Sequence, residues 1–195
     1  MRVIAGSARG RRLAAVPGDS TRPITDRAKE ALFSILGPWI DGAQVLDLFG
    51  GTGAVGIEAL SRGASSALFL DLAPAALRTM RENLRSTGLA SQATVLRQDA
   101  FRWLAKGPRE GQAFDLIYVA PPQWNELWQR ALAQLEAHPQ WLAEGGRIVI
   151  QIDPLEDAPI ESAHFEEVDR RRYGGVLLRF LERGPAGASI EGDPS

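Results

Sequence analysis

Residues 47–56, Asp-Leu-Phe-Gly-Gly-Thr-Gly-Ala-Val-Gly, constrain the fold more than any other stretch of the chain. A short apolar run over 44–49 ends in this glycine loop, and a helical pattern through Ile57 and Leu60 follows it. A strand that stops at a glycine loop and opens a helix aims backbone N–H groups at whatever approaches the turn. Gly50, Gly51 and Gly53 remove side chains that would block that approach, and Gly56 lets helix and strand close tightly.

The same alternation of strand and helix continues downstream. Residues 67–71 read as a second strand, and Pro74 opens a helix with the apolar face Leu77, Met80, Leu84, closed by Thr87-Gly88. Third and fourth strands are expected over 93–98 and 114–119. Trp124, Leu127, Trp128, Ala131, Leu132 and Leu135 line one face of another helix, and Gly145-Gly146 turns into a fifth strand over 147–152. Residues 165–172 and 176–182, joined through Tyr173-Gly174-Gly175, have hairpin spacing. The expectation is an α/β fold with a mostly parallel, doubly wound sheet of seven strands that ends in an antiparallel pair. Upstream, 2–6 and 11–16 read as two short strands about Ser7-Ala8-Arg9-Gly10, a small N-terminal β-hairpin, and 17–23 is loop by composition. A helix capped by Thr25 or Asp26 then shows Ala28, Ala31, Leu32, Ile35 and Leu36 and ends at Gly37-Pro38. The organisation is an arm over 1–24, one domain over 25–183, and a tail over 184–195 whose small polar composition predicts disorder.

Composition removes several function classes. The chain has 195 residues, 45% hydrophobic and 24% charged, which suits one soluble domain. No run reaches membrane-spanning length, and the basic opening lacks the apolar core of a signal peptide, so a cytoplasmic protein is expected. With no cysteine and only His138 and His164, disulfides, thiolate metal sites and histidine-rich metal centres are excluded, and no metal is expected. A net charge of −2 argues against a surface coated for nucleic acid. From Met1 to Glu30, however, seven basic residues (Arg2, Arg9, Arg11, Arg12, Arg22, Arg27, Lys29) face three acidic ones (Asp19, Asp26, Glu30). A basic arm on a mildly acidic body can place phosphate contacts along one edge, although the same charges also suit a solvated arm.

The glycine loop alone admits two cofactors, because GTGAVG also spells the dinucleotide fingerprint G-x-G-x-x-G of a nicotinamide-dependent oxidoreductase. Three carboxylates favour S-adenosylmethionine. Asp47, on the strand before the loop, would face the ammonium of an aminoacyl ligand and repel a pyrophosphate. Asp71 ends the second strand and can accept both ribose hydroxyls, which serves NAD equally well. Asp99 follows the third strand and can accept from an adenine amino group beside Phe101, or it simply caps the next helix. The expected cofactor pocket comprises Asp47, Phe49, Gly50, Gly51, Thr52, Gly53, Asp71, Leu72, Asp99, Ala100 and Phe101.

Across the crevice, the fourth strand ends in Ala120-Pro121-Pro122-Gln123-Trp124. Two prolines stiffen the backbone and withhold N–H donors, leaving carbonyls to accept from an amino group. Trp124 offers a flat surface for a flipped-out base. The alternative is a strand stopped by Pro-Pro, with Trp124, Leu127 and Trp128 as core.

Taken together, RVIAGSARGRRL, TRPITDRAKEALFSIL, DLFGGTGAVGIEALSRGA and the Pro-Pro motif resemble the small-subunit ribosomal RNA guanine-N2 methyltransferases, the RsmD-like family, over residues 1–181. The resemblance implies a Rossmann-like class I S-adenosylmethionine-dependent methyltransferase domain behind a small N-terminal hairpin that helps hold RNA. It implies that Asp47 to Gly53, Asp71 and Asp99 bind the cofactor and that Arg22, Pro23, Thr25, Asp26 and Arg27 border the active site. The implied substrate is a guanine N2 amine of ribosomal RNA within a small-subunit particle, with Arg9, Arg11, Arg12, Arg22, Thr25 and Arg27 as RNA contacts. The family's usual fourth motif is Asp-Pro-Pro-Tyr, in which the Asp carboxylate and a Pro carbonyl accept from the target amine and the Tyr stacks on the base. Here the motif is Ala120-Pro121-Pro122-Gln123. Ala120 has no acceptor and Gln123 cannot stack. The Pro121 carbonyl remains, Gln123 can supply a side-chain acceptor, and Trp124 lies one residue beyond the stacking position. Asp26 or Glu30 is the candidate proton acceptor if the N-terminal helix lies over the site. The same departure defines an alternative, a non-catalytic cofactor- or RNA-binding homologue.

Overall fold

The computed structural model describes residues 1–18 and 24–184, so Arg22, Pro23 and the tail from 185 onward lie outside the described residues. Seven strands form one sheet in the order β3-β2-β1-β4-β5-β7-β6. These are β1 (Gln44–Asp47), β2 (Ser66–Asp71), β3 (Ala93–Arg97), β4 (Phe114–Val119), β5 (Leu142–Ile152), β6 (Phe165–Tyr173) and β7 (Val176–Arg183). β1 to β5 are parallel, while β7 runs antiparallel between β5 and β6. The mixed sheet with an antiparallel end is the one expected from the sequence. The chain winds outward from β1 through β2 to β3, then returns to lay β4 on the other side of β1. That reversal opens a crevice at the carboxyl ends of β1 and β4.

Helices cover both faces. α1 (Asp26–Leu36), α2 (Ala54–Ser61) and α3 (Pro74–Thr87) enclose one apolar cluster, and α4 (Ala100–Leu104) and α5 (Leu127–Ala137) enclose the other. Thr25 caps α1 by accepting from the Ala28 N–H at 3.1 Å. α3 begins with Pro74 in its first turn and ends at Gly88, whose φ of +78° closes the helix in the left-handed region. Every residue of α2 is buried, its two polar members Glu58 and Ser61 bonding to the N-terminal segment. At Gly56 the packing is tight: a Cβ there would sit 2.3 Å from the Phe69 ring, itself fully buried on β2. Gly56→Ala is therefore expected to cost about 1–3 kcal/mol, read as a lower Tm by calorimetry, because the ring has no free space to move into. An unchanged Tm would show that the interface yields.

The N-terminal segment is the expected small hairpin, with less regular strand pairing than its sequence predicts. Its limbs meet at one antiparallel bridge, Arg2 to Arg12, flanked by bonds from the Val3 N–H to the Arg11 carbonyl at 2.9 Å, the Gly10 N–H to the Val3 carbonyl at 2.9 Å and the Leu13 N–H to the Met1 carbonyl at 3.1 Å. Other N–H groups of the segment bond to the domain. Ile4 and Ala5 donate to the Glu58 carboxylate at 2.8 and 3.0 Å, and Ala8 donates to Ser61 Oγ at 2.9 Å. Asn83 brackets Ala14 from both sides, accepting from its N–H and donating to its carbonyl. Val3, Ala8 and Leu13 are buried in the same cluster as α1 and α2. The hairpin therefore bonds both to itself and to side chains of the domain.

Two boundaries also shift. β5 starts at Leu142 rather than 147, with an irregularity in its pairing to β4 and Gly145 at φ +70°. α4, the helix that an Asp99 cap opens, is only five residues long, too short for a periodic pattern to mark its bounds. α5 begins at Leu127, so Trp124 stands outside the helix whose apolar face the sequence assigned to it. Among the described residues no helix is long and apolar enough to cross a membrane.

Candidate functional site

The crevice between β1 and β4 contains a cavity of about 890 Å³. Asp47, the last residue of β1, lies on its floor and is 2% exposed. Its Oδ1 has no hydrogen-bond partner, although it is fully buried. Burial pushes this carboxyl up to about 7; the Asp71 charge adds to the effect, while the Gly56 and Phe49 N–H groups oppose it. An unsatisfied carboxylate in such a place is an invitation to a cation.

Asp71 ends β2 beside it. Its Oδ2 accepts from the Gly51 N–H at 2.9 Å and its Oδ1 from the Ala73 N–H at 2.8 Å. Those two bonds fix the carboxylate at the rim of the glycine loop while leaving each oxygen a second lone pair. Gly51, at φ +54°, supplies the turn of the loop. Gly50 and Gly53 also make room for a core side chain. A Cβ on them would meet Met80 of α3 at 2.3 and 2.9 Å, so their smallness accommodates the protein's own core. Gly53 does not line the cavity; Gly50 and Gly51 do.

Asp99 lies between the next helix and the cavity. It caps α4, accepting from the Arg102 N–H at 2.8 Å, and it also borders the cavity with Ala100 and Phe101. Phe101 leans on Phe49 with ring centroids 5.8 Å apart, and Arg130 lies 4.2 Å over the Phe101 ring. The two phenyl rings form an apolar wall on the α4 side.

The opposite wall is the chain after β4. Ala120, Pro121, Pro122, Gln123 and Trp124 all reach the cavity, as do Thr52 and Leu72 from the cofactor side. Trp124 is 62% exposed and takes φ +74°, with Glu126 at φ +52° two residues on. Trp128 takes a core position of α5, Leu127 is half-buried and borders the cavity, and Trp124 is left at the mouth. Among the lining residues that the sequence reading did not single out are Tyr118, whose hydroxyl donates to Gln151 Oε1, and Gln151 itself. A lone glutamine in the apolar run of β5 was the available clue.

The basic arm is divided between two locations. Its second limb, Ala15 to Gly18, and Ile24 border the cavity. Arg9, Arg11 and Arg12 are exposed away from the lining, as is Arg27, and Thr25 is occupied as the α1 cap. The structure does not bring Asp26 or Glu30 to the cavity. Asp26 instead faces Arg2, with a 3.6 Å ion pair and a bond from the Arg2 N–H, because it sits on the first turn of α1 under the arm.

A sulfonium amino acid nucleoside fits this donor set. The orphaned Asp47 carboxylate suits its ammonium, Asp71 its ribose diol, and the Phe49 and Phe101 wall with Asp99 its adenine. Strand order and crevice define the Rossmann-like fold of class I S-adenosylmethionine-dependent methyltransferases. A family model described as conserved hypothetical protein 95 matches residues 1–182. YlbH of Bacillus subtilis (strain 168), provisionally named an rRNA methyltransferase, is 41% identical over 186 residues, covering 94% of this chain and 100% of that one. Ribosomal RNA small subunit methyltransferase D of Escherichia coli (strain K12) is 33% identical over 189 residues, covering 97% and 93%. The solved structure of yhhF from Escherichia coli, provisionally named a methyltransferase, matches with a TM-score of 0.81 at 34% identity, over 94% of this chain and 97% of that one. The chain belongs to this family, the RsmD-like proteins.

Proposed function

We propose that this protein is a cytoplasmic S-adenosylmethionine-dependent methyltransferase acting on the N2 amine of a guanine in small-subunit ribosomal RNA. The observation that carries the reading is the buried, unpartnered Asp47 Oδ1 on the floor of a cavity whose far wall is the Pro121-Pro122 turn. The names of the relatives support ribosomal RNA as the substrate. Asp47, Asp71 and Asp99 collect the carboxylates on one side of the cavity, and the other side presents neutral acceptors, the Pro121 carbonyl and Gln123.

When bound, S-adenosylmethionine supplies a methyl group on a sulfonium, already a reactive donor. The protein's part is orientation. An exocyclic amine is a poor nucleophile because its lone pair is delocalised into the ring. Acceptors at Pro121 and Gln123 hold its hydrogens so that the lone pair points across the cavity. With Ala120 in place of a carboxylate and Asp26 turned toward Arg2, the methylated amine, now strongly acidic, loses its proton to water at the mouth. The Phe49 and Phe101 wall and the arm limb at Val16 and Pro17 narrow the access of bulk water.

Labelled S-adenosylmethionine and small subunits from a strain lacking the protein test this directly. Label is expected in the RNA, and nucleoside chromatography should identify it as N2-methylguanosine. Ala120 favours one competing reading, a homologue that binds cofactor without transferring methyl. Binding of S-adenosylhomocysteine with no label in RNA would establish that alternative. Thermal stabilisation by NAD(H) rather than S-adenosylhomocysteine would overturn the cofactor.

A further inference from the structure

Trp124 is held by a residue that no motif marks. Its backbone N–H donates to Glu156 Oε1 at 2.8 Å, from a segment 32 positions further along the chain. An aromatic residue at φ +74° is unusual, because its Cβ crowds the backbone in the left-handed region, and Glu126 repeats the conformation at φ +52°. A loop with two such residues keeps its shape only where its surroundings hold it. Within the loop itself, Asn125 Nδ2 donates to the Gln123 carbonyl at 3.2 Å. The external tie is Glu156.

Glu156 is itself firmly placed. Before it, Asp153 turns the chain at the end of β5: its Oδ1 accepts from the Leu155 N–H at 2.9 Å and its carbonyl from the Glu156 N–H at 2.9 Å. After it, Asp157 pairs with Arg170 at 2.8 Å and with Arg179 at 3.1 Å, and Arg179 also donates to the Ala158 carbonyl. Arg179 is fully buried on β7, gripped by Glu167, and its guanidinium lies 5.2 Å over the Trp128 ring in the first turn of α5. One buried cation therefore fixes both the segment that carries Glu156 and the helix into which the Trp124 loop runs.

We propose that Glu156 is a positioning residue for the substrate base: by accepting the Trp124 amide it fixes the indole at the cavity mouth as the surface on which the target base stacks. The proposal rests on the methyltransferase reading above and deepens it. It explains how a chain with Gln123 at the usual aromatic position regains a stacking ring one residue later. A left-handed turn at Trp124 changes the direction of the side chain that a regular continuation toward α5 would bury, and leaves the indole 62% exposed beside Pro122 and Gln123.

The wild-type protein, Glu156→Ala, Glu156→Gln, Trp124→Ala and the Glu156→Ala/Trp124→Ala double variant are compared on small subunits lacking the modification. Glu156→Ala is expected to raise the KM for subunits about tenfold, with S-adenosylhomocysteine affinity unchanged. Glu156→Gln, whose Oε1 still accepts an N–H, should restore most of the loss. The double variant should be no worse than Trp124→Ala alone, since both act on the same ring. Selective 15N-tryptophan labelling, with five tryptophans to assign, gives a readout independent of activity. Hydrogen exchange at the Trp124 amide should speed up in Glu156→Ala and much less in Glu156→Gln. Unchanged exchange and KM in Glu156→Ala, or additive losses in the double variant, would overturn the proposal while leaving the methyltransferase reading intact. Failure of the wild-type protein to label subunits would remove that reading, and the proposal with it.

Discussion

Asp47→Asn is expected to weaken S-adenosylhomocysteine binding about a hundredfold and, at the same time, to make the ligand-free protein more stable above pH 7. The two effects share one cause. The carboxyl is buried without a partner for Oδ1, and its folded-state value is raised from 3.8 to about 7. A group raised in this way binds its proton more tightly in the folded state. Its favourable contribution is complete below the unfolded value and is lost as pH rises through about 7. Above that, the ionised carboxylate destabilises the ligand-free fold by about 4 kcal/mol. An amide removes that penalty, so at pH 8 the variant should melt higher by roughly 8–16 °C. At pH 5 the difference should shrink, since the wild-type carboxyl is then protonated. Binding runs the other way. An ammonium needs the ionised form, so wild-type affinity should fall as pH drops below about 7, by up to about tenfold per unit. Removing one partner of a buried charge pair typically costs about 2–5 kcal/mol, which sets the hundredfold scale. Calorimetric titration across pH 5–9 checks both signs. Undiminished binding by the variant would place the ammonium elsewhere.

The second large effect concerns the buried ion cluster beneath the N-terminal arm. Glu58 of α2 accepts from the Ile4 and Ala5 N–H groups, pairs with Lys29 at 3.3 Å and with Arg62 at 2.8 Å, and both Lys29 and Glu58 side chains are wholly buried. Lys29 also donates to the Arg2 carbonyl at 2.6 Å. Glu58→Ala strips the partner from a buried cation and orphans two arm N–H groups at once. A loss of about 3–5 kcal/mol is expected from denaturant unfolding, with the arm becoming cleavable after Arg9, Arg11 or Arg12. Lys29→Met should cost less, because Glu58 keeps Arg62 and both N–H donors. If the two variants lose equal stability, the arm is not what Glu58 holds.

Much of the fold was legible because its periodicities are strong. The apolar run into the glycine loop, the α3 face of Leu77, Met80 and Leu84, and the two-glycine hairpin at Gly174-Gly175 each rest on local rules that hold in any context. The N-terminal hairpin was legible, but its anchoring was not. Ile4, Ala5 and Ala8 donate to Glu58 and Ser61, more than fifty positions away, and no local pattern reports an acceptor so distant. Trp124 shows the same limit. Its spacing to Leu127 and Trp128 is helical, yet a left-handed turn at Glu126 starts the helix at Leu127, three residues later, and leaves the ring exposed.

The glycine loop and the carboxylates Asp47, Asp71 and Asp99 could be placed on one side of the crevice in advance, because each lies where a strand ends or the next helix begins. The sequence by itself also gave the departure at Ala120. Only the tertiary structure decided what Gly50 and Gly53 make room for, that Asp26 faces Arg2 rather than the cavity, and that Glu156 reaches Trp124. The physical reason is range. Strand, turn and cap are settled by neighbours a few residues apart. The partner of a buried charge or of an unusual backbone angle is chosen by the packing of the whole chain.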